Sequence, residues 1–406
     1  MSVATVLENT PVIDGDTHVI ETPELWTSRL PKKWRDDAPR VDPDGSVLRW
    51  RVGDVWLNSV AHSAHAGWRD FTPSNPPSLE EADPSTWQPV ARLAKMDEYG
   101  IAAQLLYPNI LGFDSTTFLG HRDQEFAFAC IRAYNDFLTE EYYQLAPDRF
   151  IPITVIPFWN LEASLAEIKR CREQGHKGVL VANRYERAGL PSFVDSVWDP
   201  LYALAQEMGC SVNFHVGFQS ANPNVEMTSA ELLLIREVQQ QIREDGRNRE
   251  ARATYARLTI PVFFGNAETI TALLTSDICE RFPKVNFVSV ESGFGYIPYL
   301  LEAIDWQWEA TGARATFGDR LLPSEYFRRQ CYGTFWFERS PLSLLEHFPD
   351  NFMFSTDFPH STSLSPGPAS PAEMPMVHAN KAFAGLPDEV VRKAVHGNAA
   401  RIYHVD

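Results

Sequence analysis

Eight short apolar segments, spaced along the chain with helix-like stretches between them, restrict the architecture more than any other feature. They span residues 12–18, 102–109, 150–158, 178–183, 211–216, 286–291, 331–337 and 352–357. Most are rich in β-branched or aromatic residues, as strands buried on both faces of a parallel sheet are. Amphipathic stretches at 124–145, 162–174, 197–208 and 268–281 carry helical spacing between several of them. Such alternation predicts an α/β chain with a parallel sheet, and eight repeats fit a (β/α)8 TIM barrel better than two open-sheet domains. The 406 residues then form one barrel domain over 1–406. Two long insertions interrupt it.

The first insertion, residues 31–92, follows strand one and is rich in Pro, Trp and Asp. Its runs 46–51 and 54–60 flank Val52-Gly53 and predict a small hairpin. The second, residues 217–261, follows strand five and contains a polar, helix-prone stretch at 229–252. Loops after strands build the active-site face of a barrel, so both are expected to cover the site or make subunit contacts.

The ends of four strands carry acids and histidines. Strand one ends in Asp14-Gly15-Asp16-Thr17-His18, with Gly15 read as a small turn residue. Asp16 and His18, at i and i+2, leave an extended segment on one side, as two ligands of one cation would. In Ser211-Val212-Asn213-Phe214-His215-Val216-Gly217, alternation puts Asn213 and His215 on the face opposite Val212 and Phe214, and Gly217 opens the loop. Glu291 ends a strand so apolar that its carboxylate needs a partner or a metal. Asp357 sits where the last strand gives way to Phe358-Pro359-His360. Asp16, His18, His215, Glu291 and Asp357 thus fall at the ends of strands one, five, six and eight, where barrel enzymes gather their chemistry. They predict a divalent-metal enzyme.

Composition narrows the class. A net charge of −17 argues against nucleic acid, which needs a Lys and Arg surplus. Five cysteines without a C-x-x-C pair predict reduced thiols in a cytoplasmic protein. The N-terminal residues show no signal-peptide pattern, and no apolar run approaches the roughly 20 residues of a membrane span.

The same residues carry a family resemblance. Asp16-x-His18, His215 and Asp357 resemble the amidohydrolase superfamily, in particular its amidohydrolase-2 branch of aminocarboxymuconate-semialdehyde decarboxylase-like enzymes. Supporting stretches are Ala133-Tyr134-Asn135-Asp136-Phe137-Leu138, Ala146-Pro147-Asp148-Arg149-Phe150, Arg281-Phe282-Pro283-Lys284-Val285, Ser355-Thr356-Asp357-Phe358-Pro359-His360 and Gly397-Asn398-Ala399-Ala400-Arg401-Ile402-Tyr403. The resemblance implies a (β/α)8 barrel and a divalent metal held by Asp16, His18, His215 and Asp357. One departure stands out: decarboxylases of the branch carry a catalytic His after strand six, where this chain has Glu291-Ser292-Gly293.

Three carboxylates and two imidazoles suit one or two ions of Zn, Mn or Fe, with Glu291 able to bind or bridge a second. The first expectation is a hydrolase, in which a metal-bound water attacks a carbonyl-like carbon and Asp357 or Glu291 moves the proton. The alternatives are a decarboxylase with Glu291 in an altered role, a dinuclear Fe or Mn oxygenase hydroxylating a small acid, and a non-catalytic barrel subunit. His360 is a candidate orienter of the site or substrate contact, and Arg184, after strand four, a candidate partner for a substrate carboxylate. Glu21 is read as a helix cap or Arg partner, and His62 and His65 as residues of a lid. Trp50, Trp56, Trp68, Phe71 and Trp87 in the first insertion read as packing or as a pocket for an aromatic acid. The expected partner is a small-molecule substrate, with no nucleic acid and no membrane. The expected assembly is a homodimer or larger, or one with a paralogous subunit.

Overall fold

Strand β1 (Val12–His18) is buried throughout and starts an eight-stranded sheet whose strands follow chain order. After a small separate sheet, the series continues with β5 (Ile101–Tyr107), β6 (Phe150–Val155), β7 (Gly178–Val181), β8 (Ser211–His215), β9 (Phe287–Val290), β10 (Cys331–Phe335) and β11 (Phe352–Phe354). All seven pairings are parallel. The computed structural model describes residues 2–45, 47–110, 115–216 and 230–405. All eight expected barrel strands are present, most of them ending a few residues earlier than the apolar runs do.

Closure comes from the ends of β1 and β11. Thr17 bridges Phe358, the His18 amide donates to the Phe358 carbonyl at 2.6 Å, and the Asp357 amide donates to the Asp16 carbonyl at 3.0 Å. Asp14 adds a side-chain clasp: it accepts from the Thr356 amide at 2.8 Å and the Thr356 hydroxyl at 2.6 Å. Burial pushes its carboxyl up to about 7, against the pull of those two bonds. Gly15 lies within β1 instead of making the expected turn. A Cβ there would come 3.2 Å from the Phe354 carbonyl oxygen and the Thr334 side chain, so the close approach of the first and last strands needs glycine.

The helices follow the predicted stretches, with differences of local origin. The run from Gln124 continues past Phe137 as a π-helical turn over Leu138–Tyr143. The run 268–281 is two helices, Ala267–Thr275 and Ile278–Arg281, because Ser276 turns extended. The first insertion holds an antiparallel sheet of β2 (Arg40–Asp44), β3 (Val47–Val52) and β4 (Val55–Ser59), one strand more than the expected hairpin. Residues 217–229 of the second insertion, Gly217 included, lie outside the described residues. Beyond them the polar stretch divides into Ala230–Glu244 and Arg249–Thr259, the second capped by the Asn248 side chain. Val238, Ile242 and Ala251 give this helix pair a small core of its own, packed by Tyr255 and Leu258.

One membrane expectation needs correcting. The helical run Arg249–Thr275, 27 residues, is long and apolar enough by length and composition to cross a membrane. In the fold a 3-10 turn over Ile260–Phe264 breaks it, and its last part buries Ile270, Leu273 and Leu274 among the barrel helices.

His176, distant in sequence from the strand-end acids, shows how burial couples this fold to pH. Its ring lies between the Thr139 and Thr154 hydroxyls at 3.0 and 3.1 Å, and burial lowers its pKa from 6.5 to about 3. The unfolded chain therefore binds a proton here that the folded chain refuses. Stability from this group is complete above about pH 6.5 and is lost as pH falls toward 3. His176→Gln is expected to flatten the acid limb of a urea-unfolding series by about 1.4 kcal/mol per pH unit between those limits. An unchanged slope would mean that His176 titrates normally in the fold.

Candidate metal centre

Each strand that was read as ending in an acid or histidine delivers it to the same end of the barrel. Asp16 Oδ1 lies 3.5 Å from His18 Nε2 and 3.7 Å from His215 Nε2. Glu291 Oε2 lies 3.4 Å from His215 Nε2, and Asp357 Oδ1 3.8 Å from His18 Nε2. Glu291 and Asp357 sit just past β9 and β11 with φ of 52° and 58°. A left-handed backbone at non-glycine residues costs on the order of 1–3 kcal/mol, and such strain clusters at functional sites.

The imidazoles are oriented to bind a metal through Nε2. His18 Nδ1 lies 2.9 Å from the Pro108 carbonyl and His215 Nδ1 2.8 Å from the Val216 carbonyl. A carbonyl only accepts, so each neutral ring carries its proton on Nδ1 and presents a lone pair at Nε2. Those two Nε2 atoms are 3.2 Å apart. Two lone pairs that close repel unless a proton or a cation lies between them. Among the described residues, neither oxygen of Asp16, fully buried at the same point, has a hydrogen-bond partner. Buried polar groups left this way normally bind something.

Electrostatics agree. Burial works against the Asp16 charge, but His18 and His215 outweigh it and hold the carboxyl below its usual range. For His215 burial is likewise outweighed, here by Asp16 and Glu291, and its pKa rises to about 9. Burial pushes Glu291 and Asp357 well above the ordinary carboxylate range, and neighbouring carboxylates add to it. Without metal, His215 and Glu291 thus retain protons that a divalent cation held by them would displace. One oxygen or nitrogen from each of Asp16, His18, His215 and Glu291 falls within 4.8 Å of all the others, and an overlapping group joins His18, Glu291, Asp357 and His360. The donor set fits a divalent metal.

Around these residues lies a supporting ring. His360 stacks on His18 with ring centres 3.9 Å apart, and its Nδ1 is 2.7 Å from Asp357 Oδ1. Its Nε2 is hydrogen-bonded to the Asn109 side chain at 2.9 Å. The Thr362 hydroxyl donates to Asp357 Oδ2. Glu21 accepts from the Asn109 and Ile110 amides, both at 2.9 Å. Arg92 is buried and reaches the His18 carbonyl at 2.7 Å, Gln104 at 2.9 Å and the face of Phe358. Glu338 accepts from the Phe294 and Gly295 amides and fixes the turn after Glu291. Gly293 there has φ 72°, and a Cβ would meet the Glu338 carboxylate at 3.1 Å.

The remaining candidates separate. Arg184 is not brought to the cluster: its guanidinium pairs with Glu268 and lies near the Gly265 carbonyl. His65 comes close through its backbone amide, which donates to Pro359 at 2.9 Å, and with His360 it lines a cavity of about 130 Å³. His62, Trp56 and Phe71 line a larger cavity of about 1300 Å³. Trp50 is core, packed edge-on against Trp26, and Trp87 donates to the Leu79 carbonyl. Asp14, Arg92, Asn109 and Thr362 were not singled out from sequence. Asp14 alone left a signal, two residues before Asp16 in the same strand.

The chain is similar to known proteins in sequence and in fold. Gamma-resorcylate decarboxylase of Rhizobium sp. (strain MTP-10005) is 24% identical over 277 residues, which cover 66% of this chain and 76% of that protein. A crystal structure of an amidohydrolase from Mycobacterium avium subsp. paratuberculosis K-10 superposes with a TM-score of 0.70 at 20% identity, covering 97% of this chain and 99% of that one. A dihydroxybenzoic acid decarboxylase from Polaromonas sp. JS666, with manganese and the inhibitor 2-nitroresorcinol bound, gives a TM-score of 0.59 at 18% identity, covering 97% of each chain. The amidohydrolase family profile matches residues 13–405, nearly the whole length, and the chain belongs to that family.

Proposed function

We propose that the protein is a metal-dependent decarboxylase of a hydroxylated aromatic acid. The observation that carries this reading is Asp357, a fully buried carboxyl group beside the candidate ligand cluster, with Oδ2 held by the Thr362 hydroxyl and Oδ1 2.7 Å from His360 Nδ1. Loss of CO2 leaves an electron pair on the ring carbon, and that carbon needs an acid still protonated near neutral pH. The decarboxylase relatives support the same choice and put it ahead of the hydrolase expectation.

In this reading Asp16, His18, His215 and Glu291 hold the cation. When bound, it draws electron density from the substrate oxygens and offsets their charge. Asp357 keeps its acid proton for the carbon. Thr362 fixes its Oδ2, while Oδ1 faces His18 and His360. The C–C bond to the carboxylate breaks, CO2 departs, and the Asp357 proton goes to the ring carbon in its place. Asp357 is then recharged from solvent, so each turnover consumes one proton.

A second reading, a dinuclear oxygenase, is favoured by the overlapping group of His18, Glu291, Asp357 and His360. Glu291 has two oxygens to share between ions. His18 offers one lone pair and can serve a single ion.

The test is manganese-loaded protein with a panel of mono- and dihydroxybenzoates, followed by CO2 release and metal analysis. One ion per chain and CO2 evolved without oxygen uptake is the expected result. Two iron or manganese ions with oxygen uptake would install the oxygenase, and no CO2 from any member of the panel would overturn the decarboxylase.

A further inference from the structure

Beside the metal centre lies the cavity of about 1300 Å³, larger than the roughly 300–1,000 Å³ of a site for one drug-sized ligand. Asn109, hydrogen-bonded to His360, forms part of its wall, so the metal cluster stands directly behind it. Sheet β2–β4 supplies one side and the helix Ala230–Glu244 another.

The charge of this wall opposes that of the molecule. The chain carries −17, yet among the described residues Arg49, Arg69, Arg236, Arg243 and Arg252 face the cavity against only Asp44 and Asp70. Arg49 pairs with Asp44 at 2.6 Å, and Arg69 lies 3.7 Å from Asp70. Arg252 is spent on the Gly246 and Thr72 carbonyls. Among the described residues, no carboxylate pairs with Arg236 or Arg243. The two stand seven positions apart on one helix, with Gln239 and Gln240 lining the cavity between them.

We infer that the substrate carries a second anionic group, remote from the reacting carboxylate, which Arg236 and Arg243 recognise. The inference rests on the metal-centre reading for the position of the reacting end. Two guanidiniums without carboxylate partners suit a carboxylate, sulfonate or phosphate, and they draw anions into a concave site. Trp56, Phe71 and Tyr255 supply apolar wall for the body between the two ends.

The test is calorimetric binding of matched probes to the manganese-loaded protein, without turnover. The probes are benzene-1,4-dicarboxylate and biphenyl-4,4′-dicarboxylate, each against its monocarboxylate. At least one dicarboxylate is expected to bind about tenfold more tightly than its monocarboxylate partner. In Arg236→Gln/Arg243→Gln that preference should fall to about twofold or less, with monocarboxylate affinity and metal per chain unchanged. Arg247→Gln, in the turn joining the two helices and outside the cavity wall, should keep the full preference. Equal binding of mono- and dicarboxylates by the native protein, or a preference that survives the double substitution, would overturn the inference. Failure to evolve CO2 would strike the decarboxylase reading alone, because the dianion preference is read without chemistry.

Discussion

Asp16→Asn is expected to empty the metal centre and lower turnover by about a thousandfold or more, while the barrel stays folded. Asp16 is fully buried, its two oxygens have no hydrogen bond among the described residues, and two Nε2 lone pairs turn toward it. An amide keeps the shape and one acceptor oxygen but removes the charge that a divalent cation needs there. Metal should also cease to stabilise the protein. A cation that binds only the folded chain adds about 2.7 kcal/mol at a hundred times its Kd, and so raises Tm. Native protein should show that rise on titration with manganese, and Asp16→Asn should show none. Metal analysis after dialysis, thermal melts with and without manganese, and steady-state rates read the three effects separately. Stoichiometric manganese with an unchanged melt shift in the variant would remove Asp16 from the ligand set.

Much of this centre was legible in the chain because parallel barrel strands announce themselves. Their apolar runs are continuous, and an Asp, Glu or His at the end of such a run is conspicuous. Asp16, His18, His215, Glu291 and Asp357 were found that way, and the sheet order brings them together. What sequence left hidden depends on partners far along the chain. Arg184 looked free to take a substrate acid, yet Glu268, 84 residues on, holds it. Arg92 closes an insertion and ends in the barrel wall, on the carbonyl of a ligand residue. Strand β2 escaped notice because it is short, partly exposed and interrupted by Pro43, so the hydrophobic period is weak there. The arginines of Ala230–Glu244 lie in a stretch whose sequence shows only that it is polar and helix-prone. Only the cavity gives them a role.

Glu291 and Asp357, alike in burial and in the direction of their shifts, should part company on substitution. Glu291→Gln is expected to weaken manganese binding by about tenfold to a hundredfold, because Glu291 belongs to both candidate ligand groups and Asp357 to one. Asp357→Asn should hold its metal within about threefold and lose about a thousandfold or more in kcat, since an amide has no acid proton for the ring carbon. Their stabilities should move together. Both carboxyl groups have folded pKa values above their unfolded ones, so each destabilises the metal-free fold as pH rises past the unfolded value near 4. Gln and Asn mimic the protonated forms and remove that penalty. Metal-free Glu291→Gln and Asp357→Asn should therefore melt no lower than native protein at pH 8, with the difference shrinking toward pH 4. Metal lost from Asp357→Asn and retained by Glu291→Gln would exchange the two roles. Variants that melt well below native protein at pH 8 would show that the carboxylates are ionised and paired in the metal-free fold.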